Sequence, residues 1–391
     1  MGMGIKACVW TLVLCGTAVG RSDEVAPAAG AARAVPPALA ETVPDPPIAA
    51  EPAATVVRSF VFVGCNRLDR HDIHKGVSKS TANLPQLKQT FADIQNSKQL
   101  LGLAQPPTHF FFCGDMVNNE ERDLGQTLAQ QLAAWTEEVD GFGLTGTILV
   151  PMPGNHEVLA WGNPETPNPG AYLSWDSWFT DPARDWDQYA GNGPRGPAGP
   201  GTNPDHLAGD NRNFTYSFTD GDVHFVIINT DTLTTSGTAG HAPVNWVHDD
   251  IQTAQGVSSV DYIFALGHKP TDDIVQGGTL ETSFKAAPKF SGYLCAHKHL
   301  WEKKGTGVQP NTVLEVVAGN GGSKLESSWL NPSGGPWSAD WYFGFTLVKI
   351  YDTGKVVAES WGRGVPAPPL HYYSPTGFGP TSLRDTVTLR N

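Results

Sequence analysis

The chain has 391 residues, 40% of them hydrophobic, enough to bury a large core in one big catalytic domain with extras or in two smaller domains. Its formal net charge of -13, from 26 Lys and Arg against 39 Asp and Glu, argues against a surface that grips nucleic acid or anionic membrane through clustered basic residues. A phosphate ligand would need local positive charge, which bound metal could supply.

The amino terminus reads as an export signal: Lys6, an apolar run over 7–19, then small residues at Ala18-Val19-Gly20. The mature chain is expected to begin near Arg21 and to act outside the cytoplasm, periplasmic or secreted. The apolar run is shorter than the roughly 20 residues that span a bilayer, and no later stretch is long enough for a transmembrane segment. Residues 21–57, rich in Ala and Pro, read as a linker. The folded domain, expected over 58–365, opens with Ser59-Phe60-Val61-Phe62-Val63, a strand that stops at Gly64. A helix over 84–101, a strand over 109–113, a helix over 124–139 and a strand over 147–152 follow in βαβ rhythm. From 157 to 212 the pattern gives way to an insertion rich in Pro, Gly and Asn that carries Trp161, Trp175, Trp178 and Trp186. It is either a lid over a site or a loop lobe with a small core of its own. Strands over 214–218 and 224–229 flank Asp220-Gly221-Asp222 as a hairpin. A helix over 244–254 precedes strands over 262–266, 292–295, 313–317, 345–351 and 356–360, and 366–391 is expected to be a C-terminal tail. Removal of the signal would leave Cys65, Cys113 and Cys295, an odd number that is no disulfide framework. Buried thiols are expected, with a Cys65–Cys113 bridge open only if their strands are neighbours.

Five of these strands end in a short motif that holds a Gly, a metal-binding residue type, or both. They are Gly64-Cys65-Asn66-Arg67, Gly114-Asp115, Gly154-Asn155-His156-Glu157, Gly267-His268-Lys269 and Ala296-His297-Lys298-His299. Each alone is more often a turn or a cap. Ligand sites in α/β sheets lie outside the carboxyl ends of the strands, so together the five loops are expected to converge on one crevice. Carboxylate, amide oxygen and imidazole form a ligand set suited to Mn, Fe or Zn.

In order and residue type, Asp115, Asn155, His268 and His297-x-His299 resemble the second to fifth motifs of the calcineurin-like metallophosphoesterase superfamily. Phe214–Thr230 and Gly319-Asn320-Gly321-Gly322 are similar too, so the resemblance spans roughly 59–361. It implies a four-layer α/β/β/α sandwich holding one or two divalent ions, with Asp115 bridging them. Asn155, His268 and His297 would complete one ion and His299 would serve the other. His156 would protonate or stabilise the leaving oxygen of a small phosphate ester, an imidazole role that suits neutral pH. Asn118 stands where the purple-acid-phosphatase branch has its metal-binding tyrosine, so the protein resembles that branch without the tyrosinate.

The resemblance breaks at the first motif, Asp-x-His in that superfamily, where this chain has Cys65 and Arg67. Three readings stand. Cys65 or Asn66 could bind the second ion; Asp69 and His71, or the repeat at Asp72 and His74, could fold back to the crevice; or the second ion is absent and Arg67 supplies its charge, since a guanidinium holds phosphate bidentately. The chain is expected to be an exported metal-dependent phosphoesterase. The alternative is a binding module that kept the fold and one ion but lost turnover.

Overall fold

The computed structural model describes residues 54–68, 83–119, 126–160, 166–184, 186, 188–199, 204–323, 325, 341–365 and 378–391. The expected export signal, most of the linker, Trp161, and the Asp69/His71 and Asp72/His74 pairs lie outside them. The strands are β1 Val56–Val63, β2 His109–Cys113, β3 Ile148–Met152, β4 Leu159–Ala160, β5 Thr166–Pro167, β6 Tyr216–Asp220 and β7 Val223–Ile228. They continue with β8 Tyr262–Gly267, β9 Phe290–Cys295, β10 Trp301–Gly305, β11 Val313–Ala318, β12 Tyr342–Tyr351, β13 Val356–Gly364 and β14 Ser382–Arg390. The helices are α1 Asn83–Gln95, α2 Ser97–Leu100, α3 Leu128–Phe142, α4 Asn155–Val158, α5 Pro169–Phe179, α6 Gln188–Asn192, α7 Val244–Gly256 and α8 Gly277–Lys285.

Two six-stranded sheets form the frame, ordered β14-β13-β12-β1-β2-β3 and β10-β11-β9-β8-β7-β6. β1, β2 and β3 are parallel in the first, and β7, β8, β9 and β11 in the second. A parallel set points all its carboxyl ends the same way, which is what lets loops distant in sequence meet. The expected helix over 84–101 is two helices, interrupted at Asn96. α3 starts later than expected because Thr127 caps it: its hydroxyl accepts from the Gln130 backbone while the Gln130 side chain accepts from the Thr127 N–H. Ser382–Arg390, within the expected tail, pairs antiparallel with β13 as an edge strand.

The run His109-Phe110-Phe111-Phe112-Cys113 shows how the layers are built, because alternate residues of a strand face opposite sides. Phe111 points between the sheets, its ring centroid 5.6 Å from Phe60 and 4.8 Å from Phe225 of the opposite sheet. Phe110 and Phe112 point outward, onto Phe91 of α1 and Trp135 of α3. On the far side, Val226, Ile228, Ile263 and Ala265 of the second sheet pack against Val247 and Ile251 of α7 and Leu280 and Phe284 of α8. The architecture is therefore the four-layer α/β/β/α sandwich, with both sheets' inner faces merged in one apolar core.

The insertion is not an open loop where it is described. Trp175 of α5 packs on Trp178 and Phe179, and Trp178 reaches Trp135 of α3, Trp186 and, through its indole N–H, the Thr136 hydroxyl. Of the two expectations for these tryptophans, the small core is what Trp175, Trp178 and Trp186 form, continuous with the main one. Cys65, Cys113 and Cys295 are buried and in no disulfide, and no Cys65–Cys113 bridge forms although β1 and β2 are neighbours. No helix among the described residues is long and apolar enough to cross a membrane.

Candidate metal centre

Asp115 follows β2, Asn155 and His156 open α4 after β3, His268 follows β8 and His297 follows β9, so the centre straddles the carboxyl ends of both sheets. Asp115 and His297 both have positive φ, 54° and 64°, which turns their side chains back over the strand ends. The turn before Asp115 needs Gly114, whose φ is +77° and whose hypothetical Cβ would lie 2.6 Å from the Gly154 Cα.

His268 sets the chemistry. Its Nδ1–H donates to the Cys113 carbonyl oxygen at 2.7 Å, which leaves Nε2 carrying a lone pair in the neutral ring. Around that Nε2 lie Asn155 Oδ1 at 2.9 Å, Asp115 Oδ1 at 3.2 Å and His297 Nδ1 at 3.2 Å. The Cys65 sulfur joins Asp115 and His268 in a buried group whose ligand atoms all lie within 4.8 Å of one another. Lone pairs that close repel unless a positive centre sits between them, so this donor set fits a divalent cation. Of the expected ligands, neither His297, which contacts His268 Nε2, nor the buried His299 is among the residues whose ligand atoms meet in that group.

The charges around the centre are coupled. Burial alone would raise the Asp115 pKa, but His268, His156 and Arg67 override it and hold Asp115 well below the usual carboxylate range. Burial pushes His297 well below the ordinary imidazole value. His156 gives its Nδ1 side to the Asn118 carbonyl and keeps Nε2 3.9 Å from Asp115 Oδ2. Burial first, and Arg67 second, lower His156 to about 4, whereas its residue type alone suggests titration near neutrality.

Arg67 meets the oxygen of Asp115 that His268 does not. Its Nε and Nη2 lie 2.9 and 2.8 Å from Asp115 Oδ2, and the attraction of Asp115 keeps the guanidinium pKa above its ordinary value despite burial. Asn66, one of the alternative ligands, spends its side-chain amide on the backbone oxygens of Asn83 and Gly321. Two residues have roles that their sequence context does not reveal. Glu157 accepts the backbone N–H groups of Asp115, Val117 and Gly154, strapping the Asp115 loop to α4. Burial and the Asp115 charge push Glu157 up to about 8, against those three donors, which favour the carboxylate. Lys269, next to His268, is buried in an ion pair with Asp231 at the end of β7. Only the bond to the Gly154 N–H, the Glu half of a capping box, is signalled by the Gly154-x-x-Glu157 spacing; the bonds to Asp115 and Val117 have no local signal.

No protein-family model and no curated protein matches the chain. Among solved structures, a dimetal phosphatase from Danio rerio is similar with a TM-score of 0.49 and 10% identity, over 84% of this chain and 100% of that one.

Proposed function

We propose that the chain is a metal-dependent phosphoester hydrolase of the calcineurin-like metallophosphoesterase type. The observation that carries this reading is that Asn155 Oδ1, Asp115 Oδ1 and His297 Nδ1 each lie 2.9–3.2 Å from His268 Nε2 at the strand ends, with Cys65, Asp115 and His268 forming one buried group. Asp115, Asn155, His268 and His297 would hold a divalent ion, with Cys65 alongside. When bound, Mn, Fe or Zn would supply Lewis acidity, polarising a phosphoryl oxygen and making water acidic enough to attack at neutral pH. The Asp115 carboxylate and its strap, Glu157, fix the ligand geometry before substrate arrives, so little reorganisation is needed during reaction. His156, with Nδ1 engaged by Asn118, can turn only Nε2 toward a leaving oxygen. The substrate is a small phosphate mono- or diester, since the net charge of -13 gives no general surface for polyanions. The apolar amino-terminal run over 7–19 supports export.

The test is hydrolysis of aryl phosphate mono- and diesters by metal-stripped protein titrated with Mn, Zn or Fe, with His156→Ala as control. Metal-dependent turnover that drops ~10²- to ~10⁴-fold in the variant is expected. Absence of turnover with every ester and ion would favour the binding-module alternative.

A further inference from the structure

We infer that the centre holds a single ion and that the Arg67 guanidinium stands in the place of a second, offering its remaining N–H groups to a non-bridging phosphoryl oxygen. The inference rests on the phosphoester reading above, and its starting point is the division of labour on one carboxylate. Asp115 Oδ1 faces the histidine and amide lone pairs, 3.2 Å from His268 Nε2. Asp115 Oδ2 instead receives Arg67 Nε and Nη2. A carboxylate that bridged two ions would give one oxygen to each. Here the second oxygen already has two charged donors.

Arg67 does not reach Asp115 by a chance side-chain swing. Its backbone has φ 53°, its N–H donates to the Asp115 carbonyl at 2.8 Å, and its own carbonyl accepts from the Asn83 side chain at 2.9 Å. The neighbouring Cys65 and Asn66 N–H groups bond to Gly114 and Asp115 carbonyls, so the two loops are zipped together. Asn83 is in turn held by Asn66 from the other side. The anchored guanidinium nevertheless stays 26% exposed while the Asp115 side chain is 0% exposed. With Nε donating to Asp115 and Nη2 in ion-pair contact with the same oxygen, the fork geometry of a guanidinium puts Nη1 on its other side, where it makes no hydrogen bond among the described residues. That is the posture of a group that binds an arriving anion and carries fixed positive charge at any relevant pH. Asp115 thus sits between two positive positions, one for an exchangeable ion and one built into the chain.

In the hydrolysis itself Arg67 forms and breaks no covalent bond. The water oxygen bonds to phosphorus as the ester P–O bond breaks, the leaving oxygen takes a proton, and Arg67 holds a spectator oxygen throughout. The reaction needs no co-reactant besides water.

The experiment measures metal stoichiometry and phosphate binding on the full chain. The protein is stripped, reloaded with Zn or Mn, dialysed, and assayed for metal per chain by inductively coupled plasma mass spectrometry. Inorganic phosphate is then titrated calorimetrically. One ion per chain is expected in the wild type. Arg67→Ala should keep one ion and weaken phosphate at least tenfold, with Arg67→Lys recovering part of that loss as a point charge without the fork. Two tightly bound ions in the wild type, with aryl phosphate turnover, would overturn the inference while the phosphoester reading stands. Unchanged phosphate affinity and KM in Arg67→Ala would overturn it too. One bound ion with neither phosphate binding nor turnover would remove the phosphoester reading and this inference with it. If Arg67→Ala does not fold, the wild-type stoichiometry and Arg67→Lys still decide.

Discussion

Gly154→Ala isolates the packing of the metal centre from its chemistry, because the substitution removes no ligand and no hydrogen bond. Gly154 has φ -105° and ψ -177°, extended backbone that alanine adopts without strain. On backbone grounds alone, Gly→Ala would stabilise the fold by about 0.4–1 kcal/mol through the unfolded chain. The added Cβ, however, would lie 2.5 Å from both the backbone nitrogen and Oδ1 of Asp115, and 3.0 Å from His268 Cε1. Ordinary contact begins at 3.4 Å, so Asp115 and α4 must separate by ~0.9 Å. They cannot slip apart freely, since Glu157 bonds both the Gly154 N–H at 2.7 Å and the Asp115 N–H at 2.9 Å. The oxygen displaced is the one that faces His268. Overpacking of this kind costs ~1–3 kcal/mol, which reverses the sign of the backbone effect. Disturbed support of metal ligands weakens metal affinity ~10- to ~100-fold. Urea unfolding of the stripped protein followed by tryptophan fluorescence gives the first quantity, and competition with a chelator of known affinity the second. Gly256→Ala, whose Cβ would meet nothing within 4 Å, is the control and should be neutral or stabilising. A stripped Gly154→Ala protein as stable as wild type, with metal affinity within threefold, would refute the reasoning.

Trp175→Ala should lower unfolding free energy by ~3–5 kcal/mol while leaving metal stoichiometry unchanged, because the indole is fully buried among Trp178, Phe179 and Phe214 rather than poised over the centre. Arg363→Met should cost ~3–5 kcal/mol in the same urea titration, since the guanidinium links β13 to Gln86, Thr90 and Asp93 of α1 and its loss leaves the buried Asp93 carboxylate with only the neutral donors Gln89 and Thr381. His109 sets an acid limit on stability. Burial beside Phe111 lowers it to about 4, below its ordinary 6.5, so the unfolded chain binds the proton more readily. The contribution is fully present above pH 6.5 and is lost as pH falls toward 4, by up to ~3 kcal/mol. Urea midpoints across that window should fall less steeply in His109→Gln, and parallel slopes would contradict the assignment.

What could be read from the chain and what could not divides along a physical line. The parallel strands announce themselves because both faces are buried, giving runs such as Phe110-Phe111-Phe112 and Tyr262 to Leu266 with no polar interruption. Asp115, Asn155, His268 and His297 follow their strands within three residues, so strand assignment carried the expected site residues with it. β10 is the opposite case. Its sequence, Trp301-Glu302-Lys303-Lys304-Gly305, is mostly polar and half-buried to exposed, and only its pairing with β11 makes it a strand. β14 likewise offers only Val387 and Leu389 to the core. The Arg67–Asp115 pair and the Glu157 strap join residues 48 and 42 positions apart, and no local pattern encodes such contacts. The depression of His156 has the same origin, for burial and the nearby guanidinium are properties of the assembled site.

These long-range contacts meet on one residue, which explains why Asp115 can be both strained and stable. It has a positive φ that a non-glycine residue seldom adopts, and its carboxylate is fully buried. Either feature would be costly alone. The first is held by the backbone ladder from Cys65, Asn66 and Arg67 and by the Glu157 carboxylate on the Asp115 N–H. The second is offset on one side by Arg67 and on the other by the His268 cluster. β1 and β2 of one sheet and β8 of the other supply those supports, so closing the sandwich is what assembles the site.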